Sequence, residues 1–169
     1  MITPEIRIEP FEISTDAENA AVLICRSFAT VADEFALTPE NCPSNPAFTT
    51  ATALTDRLSK PGCYCFGLYL QNILTGFVAL MPAGSGEESA CEITRLAVAP
   101  EYRHNGYGRM LMDVAVQKAR ESGAEKVNIG IIDGNEVLKD WYQLYGFIET
   151  AKKEYPFLPF VVCEMVLKL

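Results

Sequence analysis

The chain has 169 residues, a length that suits a single domain over residues 1–169, and 49% of its residues are hydrophobic, which excludes a disordered chain. Its net charge of −8 makes nucleic acid a poor partner, because an acidic surface repels phosphate backbones. No apolar run approaches the about 18 residues of a membrane span and no basic segment follows Met1, so we expect a soluble cytoplasmic protein without a membrane partner.

In the first half of the chain, strand and helix patterns alternate. The predicted elements are a strand over residues 5–9, a helix from Ser14 or Asp16 to about Val31, a loop over 38–46, a helix over 47–59, strands over 63–70 and 73–81, and a link over 82–89. The dipeptide Gln71-Asn72 is typical of a tight hairpin turn between the two strands.

The second half begins with a half-buried strand that runs into a glycine-rich turn. Its predicted elements are a strand over residues 90–99, a helix from about 106 to 121, a strand over 127–132, a helix over 135–145, and strands over 147–151 and 160–167. A strand, a helix and a second strand in succession predict that strands 90–99 and 127–132 are parallel neighbours. The element order indicates an α/β (α+β) fold.

Metal and disulfide chemistry are not expected in this chain. The six cysteines form no CxxC pair, and His104 is the only histidine, so a Cys/His metal set is not predicted. We interpret the cysteines as small side chains with free thiols. None of them pairs with a histidine as a nucleophile set.

The turn before the helix at residue 106 has the composition of an anion site. Unpaired N–H groups in a first helical turn point at a ligand, and the helix dipole favours negative charge there. Gly106 and Gly108 let the backbone approach a phosphate, and Arg103 and Arg109 add positive charge. The spacing excludes a P-loop, which needs Gly-Lys-Ser/Thr, and a dinucleotide fingerprint, whose third glycine is Leu111 here.

The pattern Arg-x-x-Gly-x-Gly resembles the acyl-CoA pyrophosphate loop of the GNAT N-acetyltransferase superfamily. A second signature is similar to that family: Asn135 opens a helix, Tyr142 follows seven residues later, and Gly146-Phe147 come at eleven and twelve. The chain departs from the family at Leu138, where a small residue is common. The resemblance covers roughly residues 90–169.

The resemblance implies a GNAT fold, with a mixed, mostly antiparallel sheet of six or seven strands and helices on both faces. The sheet is expected to splay beside the CoA arm. The implied activity is N-acetylation of a primary amine by direct attack, with acetyl-CoA as the acyl donor. A CoA-binding regulatory module without turnover is the alternative from another class.

The resemblance also implies the residues that bind the donor. The backbone of Leu96, Ala97 and Val98 is expected to pair with the pantetheine arm, and a local bulge to free an N–H for the thioester oxygen. Asn135 is expected to contact the same arm while it caps its helix. The residues expected at the pyrophosphate are Arg103, His104, Asn105, Gly106, Tyr107, Gly108 and Arg109.

Two side chains are candidates for catalysis. Tyr142 is the candidate general acid toward the CoA sulfur, because a phenol with a pKa near about 10 stays protonated at neutral pH. The alternative is a tyrosine that only packs in the core. Glu92 is the candidate general base, directly or through water, and a salt bridge is its alternative role. Strand alternation predicts that Glu92 shares a face with Thr94, Leu96 and Val98.

The sequence leaves the acceptor open. A polyamine-like or amino-sugar acceptor competes with a protein N-terminus or lysine, and the use of a longer acyl-CoA and a homodimer also stay open. Acidic residues in the expected acceptor region could draw a cationic acceptor or could serve as ordinary surface charge. These residues are Asp33, Glu34, Glu40, Glu87 and Glu88.

Overall fold

The computed structural model of the protein describes residues 5–83 and 89–169. The strands are β1 (Ile6–Pro10), β2 (Tyr64–Leu70), β3 (Ile73–Pro82), β4 (Ala90–Val98), β5 (Lys126–Ile132), β6 (Ile148–Lys153) and β7 (Val162–Lys168). The helices are α1 (Ile13–Glu34), α2 (Ala51–Leu58), α3 (Tyr107–Glu121) and α4 (Glu136–Tyr145). None of these helices is long and apolar enough to cross a bilayer. Most of the predicted link over 82–89, with Glu87 and Glu88, lies outside the described residues.

The seven strands of the described chain form one sheet in the order β1-β2-β3-β4-β5-β7-β6. Only β4 and β5 are parallel, and every other neighbouring pair is antiparallel. The predicted mixed, mostly antiparallel sheet is therefore confirmed. The turn between β2 and β3 has Gln71 and Asn72 both at positive φ, 48° and 69°, as a two-residue type I′ hairpin requires.

Helices cover both faces of the sheet, as predicted. On one face α3 and α4 enclose a cluster, the α3/α4 core, whose fully buried members include Val78, Leu80, Leu111, Met112, Val127 and Met165. On the other face α1 and α2 enclose the α1/α2 core, which includes Ile24, Leu54, Leu58, Phe77, Ala79 and Ala97. Each helix buries an apolar stripe, and the central strands β2, β3 and β4 contribute alternate residues to the two cores, as strand periodicity predicts.

The first two helices begin at different residues from those predicted. Glu12, rather than Ser14 or Asp16, caps α1, because its carboxylate accepts hydrogen bonds from the N–H and the hydroxyl of Ser14 at 3.4 and 2.6 Å. The second helix begins at Ala51 instead of residue 47. A short 3₁₀ turn and two extended residues come first, and the Thr50 side chain caps the helix.

A cluster of charges fixes α4 to the end of the sheet. Lys139 of α4 is buried, and its Nζ lies 2.8 Å from Oδ1 of Asp133 and 3.7 Å from Oε2 of Glu149. Lys152 adds a second contact to Asp133 at 3.3 Å. One carboxylate oxygen of Asp133, one of Glu149 and the Sγ of Cys163 all lie within 4.8 Å of one another. Two ammonium groups therefore neutralise this acidic group, and the cluster orients the helix that carries Tyr142.

We expect Asp133→Asn to remove part of the acid sensitivity of the fold. The hydrogen bond from Lys139 holds the pKa of Asp133 below its ordinary value of 3.8. A lowered pKa means that the ionised carboxylate stabilises the fold above the unfolded-state value, and that this contribution is lost as pH falls through the folded-state pKa. Urea unfolding between about pH 7 and pH 3 should show the variant less stable at neutral pH, with the difference shrinking in acid.

The exposed Asp140 of the same helix offers the matched control, Asp140→Asn, since it makes no ion pair with any described residue. If the free energy of unfolding of Asp133→Asn differs from that of wild type by the same amount at about pH 7 and about pH 3, Asp133 does not stabilise the fold through its charge.

Candidate functional site

The site is built around a gap between β4 and β5. The two strands pair only where residues 90–92 lie beside residues 126–128. Beyond that point β4 continues along β3 and β5 continues along β7, so their facing edges have no ladder between them. Unpaired strand edges can accept an extended ligand as an added strand. Residues 96–98, predicted to guide the pantetheine arm, lie on the open part of β4.

A β-bulge interrupts β4 inside this gap. Ala97 pairs with Phe77 and Thr94 pairs with Ala79, so β4 has one more residue than β3 between these pairs. Arg95 has a positive φ of 56°, which is rare for a side-chain-bearing residue and is typical of a conformation held by its surroundings. A bulge of this kind takes backbone groups out of the ladder. The expected bulge is therefore present in β4.

The bulge also reverses the side-chain alternation of β4. Ile93, before the bulge, and Leu96 and Val98, after it, all contact the α3/α4 core. Glu92 pairs with Met81, which contacts the α1/α2 core, so its side chain lies on the opposite face from Leu96 and Val98. The prediction that Glu92 shares their face was wrong, because strict alternation does not allow for one inserted residue.

The turn before α3 presents unpaired backbone N–H groups. Gly106 is the N-cap of α3 at φ 81°, and no side chain caps the helix. Among the first helical N–H groups, only that of Met110 finds an acceptor in the described chain, the Gly106 carbonyl at 3.1 Å. The N–H groups of residues 107–109 therefore remain for an anion, helped by the helix dipole. A Cβ at Gly106 would meet no atom within 4 Å, so this position requires glycine for its backbone conformation.

The two arginines of the turn differ in their contacts. Arg103 turns away from the helix end and donates to the Ser27 carbonyl at 2.5 Å and to Thr30 Oγ1 at 3.0 Å. Its side chain thus ties the turn to α1, and partial burial lowers its pKa. Arg109 is exposed, with its guanidinium 5.3 Å from the centre of the Tyr145 ring. Of these two cations, Arg109 is the one that lies at the surface.

The remaining residues of the turn contribute their backbone. His104 has a positive φ of 64° and is exposed. Asn105 uses its amide to close the turn, donating to the carbonyls of Tyr102 and Arg103 at 3.0 Å each. Gly108 could carry a Cβ at ordinary contact distances, since Trp141 would be 3.7 Å away. The need for glycine is therefore stronger at 106 than at 108.

The residues of the second sequence signature determine where α4 begins and ends. Asn135 caps the helix, and its Oδ1 accepts from the N–H of Leu138 at 3.2 Å. At the other end, the Tyr142 carbonyl accepts from the N–H groups of Gly146 and Phe147 at 3.1 and 3.0 Å. Gly146 has a φ of 125°, where a side chain would be strained. The four residues fix where the helix starts, where it ends and how Tyr142 is buried.

Tyr142 lies within the α3/α4 core with 7% of its surface exposed. Its ring makes edge contacts with Trp141 at 5.0 Å and Phe147 at 5.4 Å between centroids. Burial raises the pKa of its hydroxyl well above the ordinary value of 10. The phenol therefore stays protonated at neutral pH, as a proton donor must, while the packed ring also serves the core.

Two polar residues near the gap were not predicted as site residues. Arg95 follows Thr94 at the bulge, and Asn128 is the partner of Glu92 in the parallel ladder. The Nε of Arg95 and the Oδ1 of Asn128 are buried without a hydrogen-bond partner in the described part of the chain. The available signals were a charged residue within the segment TRLAV and an amide within the segment VNIGII.

Comparisons with known proteins agree with this geometry. Residues 29–147 match the profile of the Acetyltransferase (GNAT) family. An uncharacterised N-acetyltransferase of Lactobacillus delbrueckii subsp. lactis is 28% identical over 149 residues, 83% of this chain and 85% of that protein.

The fold is similar to that of a putative acetyltransferase from Salmonella typhimurium, solved with its cofactor acetyl-CoA (TM-score 0.75, 17% identity, 97% and 94% of the two chains). It is equally similar to the ribosomal-protein-S18-alanine N-acetyltransferase of Escherichia coli (TM-score 0.75, 16% identity, 97% and 94%).

We expect Gly106→Val to weaken CoA binding by at least about tenfold, because a β-branched residue resists the left-handed conformation at a cost of about 1–2 kcal/mol and displaces the N–H groups. Calorimetric titration with CoA measures this. Gly123, at the other end of α3, has a φ of 82° and equally open space, so Gly123→Val imposes the same backbone strain away from the turn. Equal affinity losses in both variants would contradict a direct role of the turn.

Proposed function

The chain belongs to the Acetyltransferase (GNAT) family, and from that premise we propose that it transfers the acetyl group of acetyl-CoA to a primary amine by direct attack in a ternary complex. Membership of this family identifies the protein as an acetyl-CoA-dependent acetyltransferase. Beyond the general activity of the family, we propose that the acceptor is an amine and that it attacks the thioester directly. Six free cysteines, each without a disulfide partner, support a cytoplasmic setting for it.

One arrangement carries the proposal: the open edge of β4 leads directly to the unpaired N–H groups at the start of α3. The strand edge suits an extended amide-containing arm, and the helix end suits a pyrophosphate. The bulge at Arg95 lies on the same strand. A donor bound along this path would place its thioester near the bulge, with the β4 backbone as its guide.

The proposed reaction needs a neutral amine and a polarised carbonyl. Glu92 accepts a proton from the amine, directly or through water, and the amine nitrogen then forms a bond to the acetyl carbon. Backbone N–H groups at the bulge stabilise the negative charge that develops on the carbonyl oxygen. The carbon–sulfur bond breaks, Tyr142 donates its proton to the departing sulfur, and the remaining extra proton on the acylated nitrogen passes to the tyrosinate, directly or through water. The products are the acetamide and CoA, with no covalent enzyme intermediate.

Measuring thiol release from acetyl-CoA with a panel of primary amines tests the proposed function. The panel should include amino acids, amino sugars, polyamines and peptides with free N-termini or lysines. We expect amine-dependent release and a matching acetamide by mass spectrometry. Binding of CoA without turnover on any amine would support the regulatory module instead.

We expect Tyr142→Phe to lower kcat by about 100-fold, the scale of a general acid, while CoA affinity changes little. The loss should persist across neutral pH, because burial keeps the tyrosine protonated there. Tyr145→Phe is the control: that hydroxyl donates to Asp113 at 2.6 Å on the outer side of the same helix. Steady-state rates that are equal for the two variants would remove Tyr142 from the acid role.

A further inference from the structure

The face of β4 and β5 toward α1 and α2 carries polar side chains without partners. The side chain of Glu92 makes no hydrogen bond or ion pair with any described residue. Asn128 alternates with Val127 and Ile129, which belong to the α3/α4 core, so its side chain lies on the same face as Glu92. Buried polar atoms normally find partners, and the Oδ1 of Asn128 has none among the described residues.

Arg95 completes this group from the bulge. Among the described residues, its Nη1 donates only to the neighbouring Thr94 hydroxyl, at 3.1 Å, and its buried Nε finds no acceptor. Thr94 pairs with Ala79 of the α1/α2 core, which places the guanidinium on the Glu92 face. A half-buried guanidinium with one hydrogen bond has donors to spare, since it carries five N–H groups.

A second guanidinium reinforces the positive charge of Arg95. Arg57, in the last turn of α2, lies beside Leu58 of the core on that face. Burial, and then the charge of Arg57, lower the pKa of Arg95 to about 10, while Glu92 opposes the shift. Neither arginine has a carboxylate at ion-pair distance within the described ranges, although the chain as a whole carries a charge of −8.

The local charges favour one kind of ligand. Two guanidinium groups and one carboxylate leave a net charge of about +1, which suits a single carboxylate better than a dianionic phosphate. A polyamine would bring a second ammonium group toward two arginines, and like charges in a partly desolvated site repel strongly. A carboxylate would instead offset the cost of keeping Arg95 away from water.

We propose that the acceptor is a primary amine that carries a carboxylate, and that Arg95 binds the carboxylate, with the positive charge of Arg57 in support, while Glu92 and the Oδ1 of Asn128 accept the hydrogens of the amine. This assignment rests on the proposed acetyltransferase function and names its substrate class. It names one class among the acceptors that the sequence leaves open.

Matched substrates test the proposal: glycine, β-alanine, L-alanine and L-phenylalanine against their carboxamides, in the thiol-release assay. The carboxamides have the less basic amines and therefore more neutral amine at neutral pH, so intrinsic reactivity favours them. We expect kcat/KM to favour at least one acid over its carboxamide by about tenfold or more, the scale of one charge-assisted hydrogen-bond pair. Carboxamides that react as well as or better than every acid would overturn the proposal.

Variants then assign the preference to residues. Arg95→Met should bring the acid-to-carboxamide ratio close to one, mainly through a higher KM for the acid. Arg57→Met, at an exposed position that tolerates substitution, should lower the ratio by a smaller factor. Arg7→Met, on the outer strand β1, is the matched control and should keep the ratio. An unchanged ratio in both Arg95→Met and Arg57→Met would also overturn the proposal.

A binding measurement separates this inference from the proposed function. In the CoA-bound protein, the ¹H–¹⁵N signal of the Arg95 Nε–H, assigned by its loss in Arg95→Met, should shift on addition of the acid and not of the carboxamide. No turnover with any amine, together with this shift, would refute the acetyltransferase function and retain the carboxylate site. Turnover without the shift would refute the carboxylate site and retain the function.

Discussion

The short parallel ladder between β4 and β5 is the constraint on which the site depends. It ends after Glu92 and Asn128, because each strand continues along a different antiparallel neighbour. The gap that follows exposes backbone groups that a complete sheet would use internally. The open edge is therefore set by the strand order of the whole sheet.

Two helices near the open part of β4 have different roles, since a Cβ on Gly108 of α3 would lie 3.9 Å from Val98 and 3.7 Å from Trp141 of α4. The start of α3 offers unpaired N–H groups because Gly106 adopts a left-handed conformation and no side chain caps the helix. The helix α4 is held by Asn135 at one end and by the charge cluster of Lys139 near its middle. One helix thus supplies a binding surface, while the other positions a buried tyrosine.

Charge is distributed unevenly between surface and site. Most acidic residues are exposed, whereas Arg95 lies half-buried on the same sheet face as Glu92, where the charge of Arg57 also acts on it. Net charge is an average over the surface and influences long-range attraction, while a ligand in a partly dry site responds to the few groups that face it. The overall charge is therefore a poor guide to the acceptor.

The sequence by itself determined the element order, the two signatures and hence the family, because glycine turns, helix caps and apolar periodicity are local properties. It misplaced the starts of α1 and α2 by a few residues, since Glu12 and Thr50 cap through side-chain geometry. Only the tertiary structure decided the bulge at Arg95, which put Glu92 on the opposite face from Leu96. It also turned Arg103 toward α1 and left Arg95 half-buried under the influence of the charge of Arg57. Those outcomes depend on the register between strands and on packing between distant segments, which no local pattern encodes.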